Sequence, residues 1–531
     1  MQQNNQYTYN QPPMGPIMPP QPGPARPRTW RERWMHRFGM DTAAAPLAKG
    51  ELTVPNWITG KSIVFFFIAM FACWGAFGYV PEFSLWLVAA LSIVLFFYGG
   101  QAMSKSWERK SENIFIKNVF LAGFVIRLLW MLYCYFVFNP DHYGQTFGDG
   151  ADVEWYMPFG KEIAGWISNG FDVPFGDLQK RWAAAIDDGG YPIWLGMIYL
   201  ILGTDNEVFM PFFIKSILGA YCAVCIYHVS KRHFGEGAAR LSAIFVALNP
   251  NMIYWCGTMM KEPEMVFLTC LAIDNFDRVL TSGRRFTFQN LLPGLLAASA
   301  LMFFRSALGI VVFLAVFAHI VMASQRVMSM GKKVLAGLLV AVVLAVSMGD
   351  RVRTQSQELI EKVQSDEQKG NMEWRANRVD SGGRKQSFAQ YAGAAVFAPL
   401  IFTIPFPSFN QANVAQLTQM QLAGGSYIKN ILSFFVIIVI LMMLISGEWR
   451  RHVFILAYTV GYHLVLVMSA FAQSGRFHMP VMPMLMLFAA YGIQIAKTNG
   501  RLKRWFPMVL VAEVAICLVW NWFKLKGRGM I

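Results

Sequence analysis

Apolar runs about as long as a bilayer is thick recur almost from end to end of this chain. They lie near residues 62–80, 84–102, 117–138, 207–229, 240–257, 263–280, 290–305, 306–323, 333–349, 428–446, 452–470, 478–496 and 505–523. A membrane helix needs about 20 mostly apolar residues, so this pattern predicts about thirteen transmembrane helices. Composition agrees. Of 531 residues 55% are hydrophobic and only 15% charged, against about 25% charged in soluble domains. The predicted fold class is an all-α polytopic integral membrane protein with two large non-cytoplasmic loops and interfacial helices.

The net charge of +15 does not point to nucleic acid, because the cations fall between the apolar runs instead of on one face. Lys105 to Lys117, Lys231 to Arg240, Arg284-Arg285, Arg326 to Lys333, Arg450-Arg451 and Lys497 to Arg504 follow the positive-inside pattern and are predicted to be cytoplasmic. No cleavable signal peptide is visible. Residues 1–28, rich in Gln, Asn, Pro and Met, read as a disordered tail, and Arg26 to Arg37 as a cytoplasmic flank. The seven cysteines sit in apolar stretches and read as packing residues. Cys222, Cys225 and His228 have helical spacing but lack a fourth zinc ligand.

Parity then orders the chain. With the N-terminus inside, 139–206 falls outside, and only one crossing fits between 190 and Lys231. Tyr191 to Gly203, led by Pro192, is too short to span and reads as interfacial or half-inserted. Ala394 to Phe409, broken by Pro399, Pro405 and Pro407, should line a cavity or the interface, where broken backbone is tolerated. The expected units are a tail and basic flank (1–60), an N-terminal hairpin (61–105), a transmembrane region with the acidic outer loop 139–206 (106–349), a second outer loop (350–427) and C-terminal helices (428–531). The location implied is a bacterial inner membrane, multi-pass, with the N-terminus cytoplasmic.

Phe147-Gly-Asp-Gly-Ala-Asp-Val-Glu-Trp-Tyr156 places Asp149, Asp152 and Glu154 beside two glycines, just after an apolar span. Ionisable groups at a membrane face mark functional sites. On the same predicted face fall Lys261 and Glu262, Arg305 between two runs with almost no loop, and Arg476 and His478 in Ser474-Gly-Arg-Phe-His-Met-Pro. Lys215 lies near the outer end of its helix, where it could also snorkel. Asp274 and Asp277 approach the cytoplasmic end, with Arg278 or Arg284 as partners for Asp277, and stand outside the site. A carboxylate can take a proton from an acceptor hydroxyl or amine, while guanidinium and ammonium groups hold a leaving phosphate. That chemistry moves a sugar from a lipid phosphate to an acceptor. Asp149 and Asp152 can hold Mg²⁺ or Mn²⁺, and are equally consistent with metal-free base catalysis.

The order of these pieces resembles the polytopic lipid-donor glycosyltransferases of the GT-C type, bacterial relatives of protein O-mannosyltransferases and lipid A aminoarabinose transferases. The resemblance covers roughly 115–280 and 400–495. It rests on Asp152-Val-Glu-Trp-Tyr156, Tyr191-Pro192 through Gly203, Lys231-Arg-His-Phe-Gly235, Leu248-Asn-Pro250, Glu262, and Arg476 before Pro480-Val-Met-Pro483. It implies Asp152 as catalytic base with Asp149 as rival, Glu262 positioning a donor or metal, and Arg476 holding lipid phosphate. The implied partners are a membrane lipid, a polyprenyl-phosphate sugar donor and a glycan, lipid or protein acceptor. Lys215 stands where the family carries Arg, and three helices precede the acidic loop where the family has one.

Two other functions fit the pattern. A polysaccharide polymerase or ligase would rely on Arg384 and Lys385 of the second loop. A transporter or lipid flippase would use broken helices in symmetric halves, and no convincing repeat surrounds 191–203 and 394–408.

Overall fold

A computed structural model describes residues 52–77, 83–138, 151–170, 189–203, 208–281, 287–322, 417–468 and 475–527. The expected run 333–349, the broken segment 394–409 and Arg384-Lys385 lie outside these. The described residues are helical, with no strand among them. Four helical stretches among them are long and apolar enough to cross a membrane: Glu112–Val137, Phe209–Leu248, Tyr427–Ser446 and Arg476–Lys497.

In chain order the helices are α1 (Asn56–Phe77), α2 (Phe83–Val94), α3 (Gly100–Trp107), α4 (Glu112–Tyr133), α5 (Ala151–Ser168), α6 (Gly190–Leu202), α7 (Phe209–Leu248) and α8 (Pro250–Tyr254). They continue as α9 (Glu262–Thr281), α10 (Phe288–Phe304), α11 (Ser306–Met322), α12 (Leu417–Ser446), α13 (Val453–Met468), α14 (Met482–Thr498) and α15 (Gly500–Gly527). Short 3₁₀ turns at Glu448–His452 and Gly475–Val481 lead into α13 and α14.

Helix α4 shows how one sequence serves two solvents. Phe115, Val119, Gly123, Arg127 and Met131 recur every four residues and are buried, whereas Leu121, Val125 and Leu129 form a parallel stripe that is 41–62% exposed. Residues four apart share a helix face, and an exposed stripe of large apolar side chains is what a lipid-facing helix presents. Arg127 sits on the inner stripe. It donates to the carbonyls of Gly123 (3.0 Å), Ala247 (2.9 Å) and Val246 (3.2 Å). The last two are end-of-helix carbonyls that lack a helical donor, because Asn249-Pro250 stops α7. A buried cation therefore caps a helix C-terminus in the middle of the bundle.

Gly235 folds α7 back on itself. Its φ of +82° belongs to glycine, and it splits the helix between two apolar halves, at the basic segment read as a cytoplasmic loop. Around this kink the polar groups of one end gather. Lys231 meets Glu112 at 2.5 Å, and Arg240 donates to the Trp107 and Lys110 carbonyls at 2.8 Å each. Arg232 bridges Asp277 and Asp274, both at 2.6 Å. His233 reaches Asp277 at 2.7 Å and His452 at 2.8 Å. The sequence offered Arg278 and Arg284 as partners for Asp277, of which Arg284 lies outside the described residues. Instead Arg232 and His233 hold it, and Arg278 lies 3.6 Å from Asp274, because the kink brings residues 45 positions away onto α9.

The expected N-terminal hairpin packs on the C-terminal part of the chain, α1 against α15 and α2 against α12. Residues 52–55 are clipped to α3 by Leu52 and Val54 amides donating to Glu108 and Ser104.

Candidate functional site

The other end of the bundle is organised by an interruption. After Asn249 caps α8 by accepting from the Asn251 and Met252 amides, a 3₁₀ turn at Trp255–Gly257 leads into extended backbone before α9. Gly257 is required there: a Cβ would lie 2.5 Å from the Cys134 sulfur. The interruption leaves carbonyls without helical donors, and Lys215 supplies them. Its Nζ donates to Thr258 O, Met260 O and the Tyr191 hydroxyl, each at 2.7 Å, with Glu264 at 4.0 Å. Lys215 is fully buried. It does not snorkel; it ties α6, α7 and the start of α9 together.

Glu262 opens α9 and accepts from Arg476 Nε on the turn 475–481. That turn is the hub of the site. Phe477 O accepts from the Tyr462 hydroxyl at 2.8 Å, Pro480 O from Tyr458 at 3.1 Å, and the Phe477 ring lies 4.3 Å from the Arg305 guanidinium. Arg305 is the one extended residue between α10 and α11 (φ −162°, ψ 105°), so the near-absent loop read from the sequence is a break that presents this cation. His478 completes the turn, its Nδ1 2.6 Å from Lys429 Nζ, with the His463 ring 6.4 Å away.

Helix α5 closes the group from the acidic loop. Tyr156 packs edge-on against Tyr191 with centroids 5.0 Å apart, and Lys261 Nζ lies 5.9 Å from the Tyr156 ring. Asp152 occupies α5 one turn before Tyr156; its side chain and the whole of Asp149 lie outside the described residues. Glu154 is exposed and, two positions from Tyr156, belongs to another face.

The structure thus brings Lys215, Lys261, Glu262, Arg305, Arg476 and His478 to one end of the bundle and leaves Glu154 apart. It adds Tyr191, which the sequence offered only as the start of a Pro-led segment, and Glu264, Lys429 and His463, which lacked a visible signal: Lys429 and His463 sit in apolar runs, and Glu264 reads as part of a helix-start acid pair. Among the described residues several buried polar atoms here have no hydrogen-bond partner, namely Glu262 Oε2, both Glu264 oxygens, Asn251 Oδ1 and Trp255 Nε1. Native interiors pair nearly all such atoms, which makes this cluster the candidate site. Among the described residues no group of three or more His, Cys, Asp or Glu side chains is placed to hold a metal. Glu262 and Glu264 are already engaged by Arg476 and Lys215. A hard divalent ion would draw on the expected Asp149 and Asp152, outside the described residues.

Residues 190–348 match the family model described as dolichyl-phosphate-mannose-protein mannosyltransferase, which supports a glycosyltransferase of the GT-C type. The matched segment carries Lys215, Lys261, Glu262, Glu264 and Arg305; the acidic stretch 147–156 and the turn 475–481 lie outside it. No curated protein and no solved structure matches the chain.

Proposed function

We propose that this chain is a membrane glycosyltransferase that moves a sugar from a polyprenyl-phosphate-linked donor to a lipid, glycan or protein acceptor at the outer face of a bacterial inner membrane. Its full topology is about thirteen spans with the N-terminus cytoplasmic. The observation that carries this reading is the buried cluster Lys215–Glu264 and Glu262–Arg476 at the bundle end where α5, from the acidic loop, packs through Tyr156. A cluster of cations and acids inside apolar helices suits a charged lipid headgroup, and the family match lies on helices that build it.

In the proposed reaction the carboxylate of Asp152, with Asp149 as its alternative, takes the proton of the acceptor hydroxyl or amine. The acceptor atom bonds to the anomeric carbon as the bond from that carbon to the phosphate oxygen breaks. The departing lipid phosphate carries the electron pair and is stabilised by the fixed cations of the cluster, which need no reorganisation as charge develops. A Mg²⁺ or Mn²⁺ ion, where bound, would add charge stabilisation at the leaving phosphate.

The test is separate replacement of Asp152 and Asp149 by Asn, with mass spectrometry of lipid-linked sugars and surface glycans in cells. Loss of product with accumulation of the donor lipid is expected for at least one variant. Full product in both would overturn the mechanism.

A further inference from the structure

Among the described residues the buried cations differ in what neutralises them. Arg127 donates to three carbonyls, Arg240 to Glu236 and three carbonyls, and Lys215 to two carbonyls and a hydroxyl with Glu264 nearby. Lys429, which like Arg127 meets no described carboxylate, has a single neutral side chain as its partner. It is 2% exposed, its side chain bonds to His478 Nδ1 at 2.6 Å, and no described carboxylate lies within ion-pair distance. An imidazole nitrogen can accept one of its hydrogens but brings no negative charge.

The surroundings make the asymmetry sharper. His478 and His463 are 1% and 4% exposed, so three nitrogen bases from α12, the turn 475–481 and α13 share one buried place. Accepting from Lys429 at Nδ1 leaves the hydrogen of neutral His478 on Nε2, as a further donor. His463 Nδ1 donates to Thr459 O at 2.7 Å, which fixes its tautomer. A buried ammonium without an anion costs several kcal/mol unless it loses its proton or gains a partner. Arg476, the residue first expected to hold lipid phosphate, is meanwhile held by Glu262.

We infer that Lys429, backed by His478 and His463, is the receptor for a phosphate group, with Arg476 positioned beside it by Glu262. This rests on the reading of the site as one for a lipid-phosphate donor, and moves the phosphate contact from Arg476 to Lys429. The group bound is a phosphate mono- or diester, or its free inorganic counterpart.

Binding to the full chain in lipid nanodiscs tests it, with polyprenyl monophosphate and inorganic phosphate as probes. Polyprenyl monophosphate is expected to bind the wild-type chain and to bind Lys429→Gln at least about tenfold more weakly, the loss of one charge-assisted contact. Equal affinity in the two proteins would overturn the inference. With lysine Nζ labelled by ¹⁵N, bound lipid phosphate should show a phosphorus–nitrogen dipolar coupling in the wild type that disappears in Lys429→Arg, which keeps the charge and removes the label. This second measurement stands even where Lys429→Gln fails to fold. A coupling absent in the wild type, or retained in Lys429→Arg, would refute the assignment. Displacement of the coupling by inorganic phosphate supports a pocket that reads phosphate alone, and resistance to displacement supports one that needs the lipid chain as well. Lys429-dependent binding beside fully active Asp152 and Asp149 variants would remove the proposed catalytic mechanism and leave the receptor standing.

Discussion

Arg476 donates from its Nε to a carboxylate oxygen of Glu262, 214 residues earlier in the chain. The contact joins the turn 475–481 to the first turn of α9, and Glu262 is 1% exposed against 18% for Arg476. Neither end of this pair would stay in place alone, since a carboxylate buried without its cation is the costlier state.

Glu262→Gln and Arg476→Gln should therefore each destabilise the chain by about 2 kcal/mol or more, and the double variant should cost less than their sum. Thermal unfolding in detergent of all three proteins measures the coupling. Strictly additive losses would show that the contact carries no energy.

Lys215→Met removes the donor shared by Thr258 O, Met260 O and Tyr191. Leaving buried acceptors unpaired costs roughly 3 kcal/mol, and Tyr191→Phe, which removes a single acceptor, about 1 kcal/mol. The order of unfolding midpoints should be wild type, Tyr191→Phe, Lys215→Met. A Lys215→Met protein as stable as the wild type would mean that the lysine is not structural.

Arg127 donates to the Gly123, Val246 and Ala247 carbonyls and to none of the candidate site residues, so its replacement tests whether stability and function separate. Arg127→Met orphans the C-terminal carbonyls of α7, again at about 3 kcal/mol, while transfer per folded molecule should be unchanged. Loss of turnover in the folded fraction would extend the site to α4.

The opposite end carries an acid-sensitive joint. The apolar helix α13 begins at Val453, after His452, and burial, reinforced by neighbouring His233, pushes the His452 imidazole down to about 3. A base whose pKa falls on folding binds its proton more readily in the unfolded chain. Its contribution is complete above about pH 6.5, and stability is lost as pH falls below that value, by about 2 kcal/mol at pH 5. His452→Gln should flatten the stability profile between pH 6.5 and 5 by about this amount. Parallel profiles for the two proteins would contradict the assignment.

Much of the helical framework was legible because apolar run length and Pro and Gly punctuation are local signals. The break at Arg305, the reversal at Gly235 and the short α6 all follow from a few consecutive residues. The convergence of Lys215, Glu262, Arg305 and Arg476 was legible too, since charges in apolar surroundings are few and parity sorts them by face. The partners were not. Asp277 pairs with Arg232, 45 residues away, and not with its neighbour Arg278. Lys429 meets His478 across 49 residues, from within a run that reads as ordinary core. Side-chain pairing depends on helix rotation and on the kink angle, which periodicity leaves open.

Everything proposed here requires residues 152 and 476 to share one non-cytoplasmic compartment, with residue 450 on the other side. Single cysteines at these positions, in a chain with its seven native cysteines replaced, can be labelled in intact cells with a membrane-impermeant maleimide. Labelling at 152 and 476 from outside, with 450 reacting only after permeabilisation, is the expected result. Positions 152 and 476 labelled from opposite sides would contradict it.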